Sequence, residues 1–120
     1  MRLGIVDVGT NSIHLLIGRV SPSRPLSTIC YERHLTRLGD AGLVANTLSP
    51  AAMRRAMGVL RRYAAILKRR GVDRVEAVAT SAVREATNGR AFVRRVRDET
   101  GLPLRMISGE EEARLIYRGV

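Results

Sequence analysis

Three consecutive carboxylates, Glu110, Glu111 and Glu112, stand behind Ser108 and Gly109 and open a stretch that reads as a helix. Two of them have structural work to do. Ser108 and Glu111 have the spacing of a capping box, in which each side chain satisfies an orphan backbone N–H of the first turn. Glu110 precedes Arg114 by four residues, the favourable orientation for an exposed ion pair contributing about 0.2–0.5 kcal/mol. Glu112 is left over, beside the stripe Ala113, Ile116, Tyr117 and Val120 that follows the i, i+3, i+4, i+7 rule. Desolvation at the edge of an apolar stripe raises a carboxyl pKa, while a helix N-terminus lowers it. A carboxylate so placed can serve as a general base or simply favour the helix dipole.

A second candidate lies at the other end of the chain. Asp7-Val8-Gly9-Thr10-Asn11-Ser12 puts an acidic residue at the end of a strand-like run, and then a turn rich in hydroxyl, amide and unobstructed N–H groups. A phosphate with a divalent cation requires such parts. Gly9 can take positive φ and let the backbone approach an oxyanion. Successive turn N–H groups form an anion nest, and Asp7 can hold Mg²⁺ directly or through water. The structural alternative is a turn justified only by the local hydrogen bonds of Asn11 and Ser12.

The elements that must position these groups can be read from periodicity. Leu3 to Val8 and Ile13 to Val20 are β-rich runs around the turn from Gly9 to Ser12, giving an opening hairpin. Ser21-Pro22-Ser23-Arg24-Pro25 is a breaker cluster, after which Leu26 to His34 forms a weaker third strand and 38–48 a glycine-punctuated loop. Ser49 and Pro50 supply an N-cap and an N1 proline. The next helix buries Met53, Ala56, Met57, Leu60, Ala64 and Leu67, presents Arg54, Arg55, Arg61, Arg62, Lys68 and Arg69 to solvent, and ends at a left-handed Gly71. Arg74 to Thr80 is a buried strand, and Ser81 caps a turn of helix through Ala86. A helix from Asn88 buries Phe92, Val93 and Val96 and stops at Gly101. Leu104 to Ile107 is the fifth strand, ahead of the Glu-rich helix. The order β-β-β-α-β-α-β-α implies an α/β fold with a mixed sheet whose later strands are parallel and joined by right-handed crossovers.

Composition sets further bounds. The 120 residues suit one domain. Aromatic residues make up only 3% and Trp is absent, which argues against base-stacking platforms for nucleic acid. The formal charge is +10, and Lys68 is the only lysine among 21 basic residues. That balance fits a polyanionic partner, and equally a biased codon composition. Cys30 is alone, so no internal disulfide forms, and it reads as a small strand residue. With neither a secretory leader nor a membrane-length apolar run, the chain is expected to be cytoplasmic.

Asp7-Val8-Gly9-Thr10 resembles the first phosphate loop of the actin-like ATPase superfamily. Two further segments, Ala79 through Asn88 and Ile107 through Ile116, resemble signatures of the exopolyphosphatase and guanosine pentaphosphate phosphatase family, and the likeness extends to Asn11, Ser12, His14 and Thr36 through Gly39. The resemblance implies a ribonuclease H-like lobe and removal of the terminal phosphate from inorganic polyphosphate or guanosine pentaphosphate with Mg²⁺ and an attacking water. It makes Glu112 the general base and Asp7 the metal ligand, with Gly9, Thr10, Asn11, Ser12, Thr80, Ser81 and Arg84 lining the phosphate pocket. It gives Arg84 the role of fixed positive charge, while His14 reads as a satisfied core histidine. Members continue into a second phosphate loop and another domain, so the chain is expected to be the N-terminal lobe of a longer protein, with a homodimer conceivable for the whole. The rival readings are a non-catalytic polyphosphate- or nucleotide-binding module, a nucleic-acid-binding face along Arg54 to Arg70, and a sugar or acetate kinase. The triple-Glu segment and the lack of a sugar-contacting motif count against the kinase.

Overall fold

The computed structural model describes residues 1–39 and 46–117, with side chains described as far as Arg114. β1 (Arg2–Val8), β2 (Ser12–Ser21) and β3 (Arg24–Leu35) precede α1 (Pro50–Arg69). β4 (Arg74–Ala79), α2 (Ser81–Glu85), α3 (Gly89–Thr100), β5 (Leu104–Met106) and α4 (Gly109–Tyr117) complete the order. The five strands form one sheet in the order β3-β2-β1-β4-β5. β1 to β3 pair antiparallel, while β4 runs parallel to both β1 and β5.

Strand alternation sorts the two faces of the sheet. Val6, Val8, Ile13, Leu15, Ile17, Ala77, Ala79 and Leu104 are buried, and α1 and α3 pack over them. Helix α1 contributes Ala56, Met57, Leu60, Tyr63, Ile66 and Leu67 to this core, and α3 contributes Phe92, Val93 and Val96. The opposite face carries Ile5, Asp7, His14 and Leu16, all half-buried, with Tyr31 and Leu35 exposed. The basic face of α1 is solvated as its sequence suggests, and Arg62 pairs with Glu32 of β3.

Punctuation largely works as read. The Ser49 hydroxyl accepts from the Ala52 N–H, Pro50 opens α1, and Gly71 and Gly101 terminate their helices at φ +60° and +76°. Four expectations need correcting. The breaker cluster shrinks to a two-residue turn at Pro22 and Ser23. β3 is then a strand of 12 residues that tolerates Pro25 because it is a sheet edge. The connection from β4 to β5 holds two helices, α2 and α3, where the eight-element order has one. Ser81 is the first helical residue rather than the cap; Thr80 takes the cap position without a side-chain cap bond, because both hydroxyls are engaged elsewhere. Asn88 likewise turns its side chain to Leu48, accepting from its N–H at 2.9 Å and donating to its carbonyl at 3.0 Å. The part of the 38–48 loop at 40–45, and Val120 of the last stripe, lie outside the described residues.

Tyr63, on the same stripe three residues after Leu60, is a buried anchor of α1. Its O–H donates to Ile13 O at 2.7 Å and lies 2.9 Å from His34 Nδ1, joining α1 to the hairpin strands. Tyr63→Phe keeps the ring and removes the bond, leaving buried polar partners short. We expect a loss of about 1–3 kcal/mol, read as a lower urea midpoint with unchanged slope. An unchanged midpoint would mean that the bond contributes nothing.

Candidate functional site

Parallel pairing brings the ends of β1, β4 and β5 to one edge, since Val8 is in register with Ala79 and Ala79 with Met106. The three segments that leave these strands therefore meet there: the loop at Gly9 to Asn11, helix α2 and helix α4. Open α/β sheets bind ligands at this edge.

The first loop is braced from below. Asn11 O accepts from the N–H groups of Thr36 and Arg37 at 3.0 Å each, and Thr10 O accepts from the Gly39 N–H at 2.9 Å. Gly9 departs from expectation, since its φ is not positive and its N–H donates to Ser12 O at 3.0 Å. A Cβ there would lie a tight 3.1 Å from that same oxygen, so glycine's smallness eases turn closure, and its own N–H is spent on the turn and not on a nest. The N–H groups of Thr10 and Asn11 have no partner among the described residues, and they are the donors the loop can offer an anion.

The side chains converge in part. Thr10 Oγ1 and Ser81 Oγ are 2.8 Å apart, pinning the loop to α2. Thr80 Oγ1 donates to Val8 O at 3.3 Å, a structural tie between β4 and β1. Arg84 Nη1 donates to Ile107 O at 3.0 Å and to Glu112 Oε2 at 3.4 Å, so one guanidinium holds the end of β5 and the first turn of α4 together. Its Nε and Nη2 have no hydrogen-bond partner among the described residues.

At α4 the sorting of the three glutamates changes in detail. Ser108 Oγ accepts from the Glu111 N–H at 3.0 Å, but the Glu111 carboxylate accepts from Arg105 Nη1 at 2.8 Å instead of completing the capping box. Glu110 and Arg114 form no ion pair among the described residues. Ala113, expected to start a buried stripe, is exposed. Glu112 remains the carboxylate turned to Arg84.

Asp7 is the unusual group. Its Oδ1 is shut off from solvent without a hydrogen-bond partner among the described residues. Burial pushes its carboxyl above the usual aspartate range; His14 opposes that shift and the Glu112 charge adds to it. His14, in register with Asp7 across the hairpin, is a site neighbour and not a core histidine. Sequence reasoning misses it, although strand alternation puts positions paired across a hairpin on one face. A cavity of about 240 Å³ lies against the same loop, with Thr10, Gly39, Thr47, Ser81 and Glu85 in its walls. Neither Asp7 nor Glu112 borders it, although the Glu112 charge reaches the Asp7 carboxyl. No three ligating side chains cluster among the described residues.

Strand order and site position define a ribonuclease H-like lobe of the actin-like ATPase type. The chain belongs to the Ppx/GppA phosphatase family, whose model matches residues 16–120. An exopolyphosphatase from Cytophaga hutchinsonii is similar at TM-score 0.92 and 35% identity, covering 99% of this chain and 38% of that one. The Aquifex aeolicus member of the Ppx/GppA family is similar at TM-score 0.87 and 33% identity, covering 93% of this chain and 36% of that one. Likeness to Thermus thermophilus RuvC, at TM-score 0.51 and 16% identity over 89% of this chain and 63% of that one, concerns the fold alone. The chain therefore spans just over a third of the length of the two family members. The family match begins inside β2, so the loop from Asp7 to Ser12 rests on its own geometry and on the structural likeness.

A raised Asp7 pKa means the folded chain holds that proton more tightly than the unfolded chain does. The resulting stability is complete below the ordinary aspartate value and is lost as pH rises through the raised one. Asp7→Asn should remove this loss. Melting temperatures of both proteins, taken from about pH 3 to pH 7 without divalent cations, should show the variant gaining on the wild type as pH rises. A constant difference would contradict the burial of an unpaired carboxylate.

Proposed function

We propose that this chain is the N-terminal lobe of a phosphohydrolase that releases the terminal phosphate from inorganic polyphosphate or guanosine pentaphosphate. The carrying observation is the meeting of three strand exits, where Arg84 holds Glu112 within the electrostatic reach of Asp7. Family membership supports hydrolysis of a phosphoanhydride, and the solved exopolyphosphatase supports polyphosphate as the substrate class.

The parts suit phosphoryl transfer, which depends on positioning and charge neutralisation. The Thr10 and Asn11 N–H groups and the free nitrogens of Arg84 are donors for phosphate oxygens. Ser12 and Ser81 add hydroxyls. Gly9 closes the turn, and Thr80 ties β4 to β1 beneath it. Glu112 takes the proton from the attacking water, while the terminal phosphorus–oxygen anhydride bond breaks and the shortened chain leaves with that oxygen.

The unpartnered Asp7 Oδ1 fits a divalent cation such as Mg²⁺, which neutralises phosphate charge when bound. With no three ligating side chains clustered among the described residues, much of the shell would come from water and substrate oxygens, as Mg²⁺ prefers. Binding without turnover is the second reading, favoured by the cavity beside the Thr10 loop, which neither Asp7 nor Glu112 borders.

A chimera joining this chain to the remaining length of that exopolyphosphatase separates the two. Phosphate release from polyphosphate should fall about 100- to 10,000-fold in Glu112→Gln, with Mg²⁺-dependent tripolyphosphate binding retained. Near-normal release would remove Glu112 from the mechanism. Full release by a chimera whose Asp7 and Glu112 are both neutralised would leave this lobe a binding module.

A further inference from the structure

His14 sits in a run of hydrogen bonds that the proposed chemistry has not used. Its Nδ1 is 2.7 Å from Tyr31 Oη, and its Nε2 is 3.2 Å from Ser12 Oγ. Arg33 Nε donates to the same Ser12 oxygen at 3.4 Å. All four residues lie on the sheet face away from α1, beside Asp7. Ser12 is only 8% exposed, whereas Tyr31 is 56% exposed.

Resting on the phosphate-site reading above, we propose that His14 is a positioning residue that makes Ser12 a hydrogen-bond donor to the bound phosphate. Tyr31 O–H donates to Nδ1, the ring hydrogen sits on Nε2 and donates to Ser12 Oγ, and the Ser12 hydroxyl hydrogen is left for a phosphate oxygen.

The bonding capacities lead to this assignment. A guanidinium only donates, so Arg33 takes one lone pair of Ser12 Oγ. A neutral imidazole has one donor and one acceptor nitrogen, and the partner of one fixes the role of the other. A phenol is a better donor than acceptor towards a basic ring nitrogen, and the short contact to Tyr31 makes Nδ1 the acceptor. Nε2–H then fills the second lone pair of Ser12 Oγ. The serine hydrogen finds no acceptor among the described residues. A nearly buried hydroxyl in that state costs free energy until something accepts from it. A phosphate oxygen is such an acceptor. With the opposite tautomer, Ser12 would give its hydrogen to Nε2 and present only lone pairs to the anion.

The exposed Tyr31 hydroxyl can be deleted without touching the core, which makes it the handle. ¹⁵N shifts of the His14 ring should place the hydrogen on Nε2 in the wild-type chain, and a hydrogen on Nδ1 instead would overturn the relay whatever the phosphate result. Calorimetric titration with tripolyphosphate and Mg²⁺ should show Tyr31→Phe binding about fivefold more weakly, an effect the size of one lost neutral hydrogen bond. The double variant with Ser12→Ala should bind no more weakly than Ser12→Ala alone, because Tyr31 acts through Ser12. Additive losses would overturn the relay. If Asp7→Asn loses binding while Tyr31→Phe matches wild type, the phosphate site stands and the relay falls. If wild type fails to bind, or binds regardless of Asp7→Asn, the phosphate site falls and the relay with it.

Discussion

The parallel pairing of β1, β4 and β5 is the constraint on which the rest depends. Three strands running the same way must release three chain exits at one edge, whatever residues the exits contain. The register then fixes which residues those are: Val8 beside Ala79, and Ala79 beside Met106. Segments more than 70 residues apart meet without any long-range recognition of their own, as the Thr10 to Ser81 hydroxyl contact shows. A slip of one residue in β1 would turn Asp7 into the core and Val8 out of it.

What makes this edge chemical is a contrast in how charges are treated. Arg62 of α1 with Glu32 of β3, and Arg95 with Glu99 along α3, are solvent-facing pairs of the kind that contributes little. Asp7 is the reverse case, a carboxylate whose buried oxygen meets no donor among the described residues. Burying a polar atom without a partner costs free energy, and the cation site proposed above would account for its persistence at the edge where the three chain exits meet. Arg84 stands between the two cases. Half-buried and bonded to both Ile107 O and Glu112, it keeps donors in reserve while fixing the geometry of α4.

Much of this is legible in the residues themselves. Ser49, Pro50 and Gly71 set the bounds of α1, and the turn residues between two β-branched runs set the hairpin, because local chemistry decides them. The edge strand is underrated by its sequence because Pro25 and Arg24 read as breakers, a penalty that lapses where one side of a strand has no partner to satisfy. Gly9 suggests conformational freedom when the structure uses its smallness. Ser81 looks like a cap, but its side chain goes to Thr10, a partner that only tertiary contact supplies. The catalytic candidates are visible as motifs. The surroundings of Asp7, with His14, Tyr31 and Arg33, are not, because register across two hairpin pairings cannot be counted from one strand alone.

The central claim is convergence: the loop after β1 and the first turn of α4 serve one bound phosphate and its cation. Replacing Mg²⁺ with Mn²⁺ in the presence of tripolyphosphate, and mapping which backbone amide signals are broadened by the paramagnetic ion, tests this directly. The account predicts broadening together at residues 7–12, at Arg84 and at Glu110 to Glu112, with α3 beyond Arg94 unaffected and the pattern abolished by Asp7→Asn. Broadening confined to one segment, or centred on the arginines of α3, would contradict it.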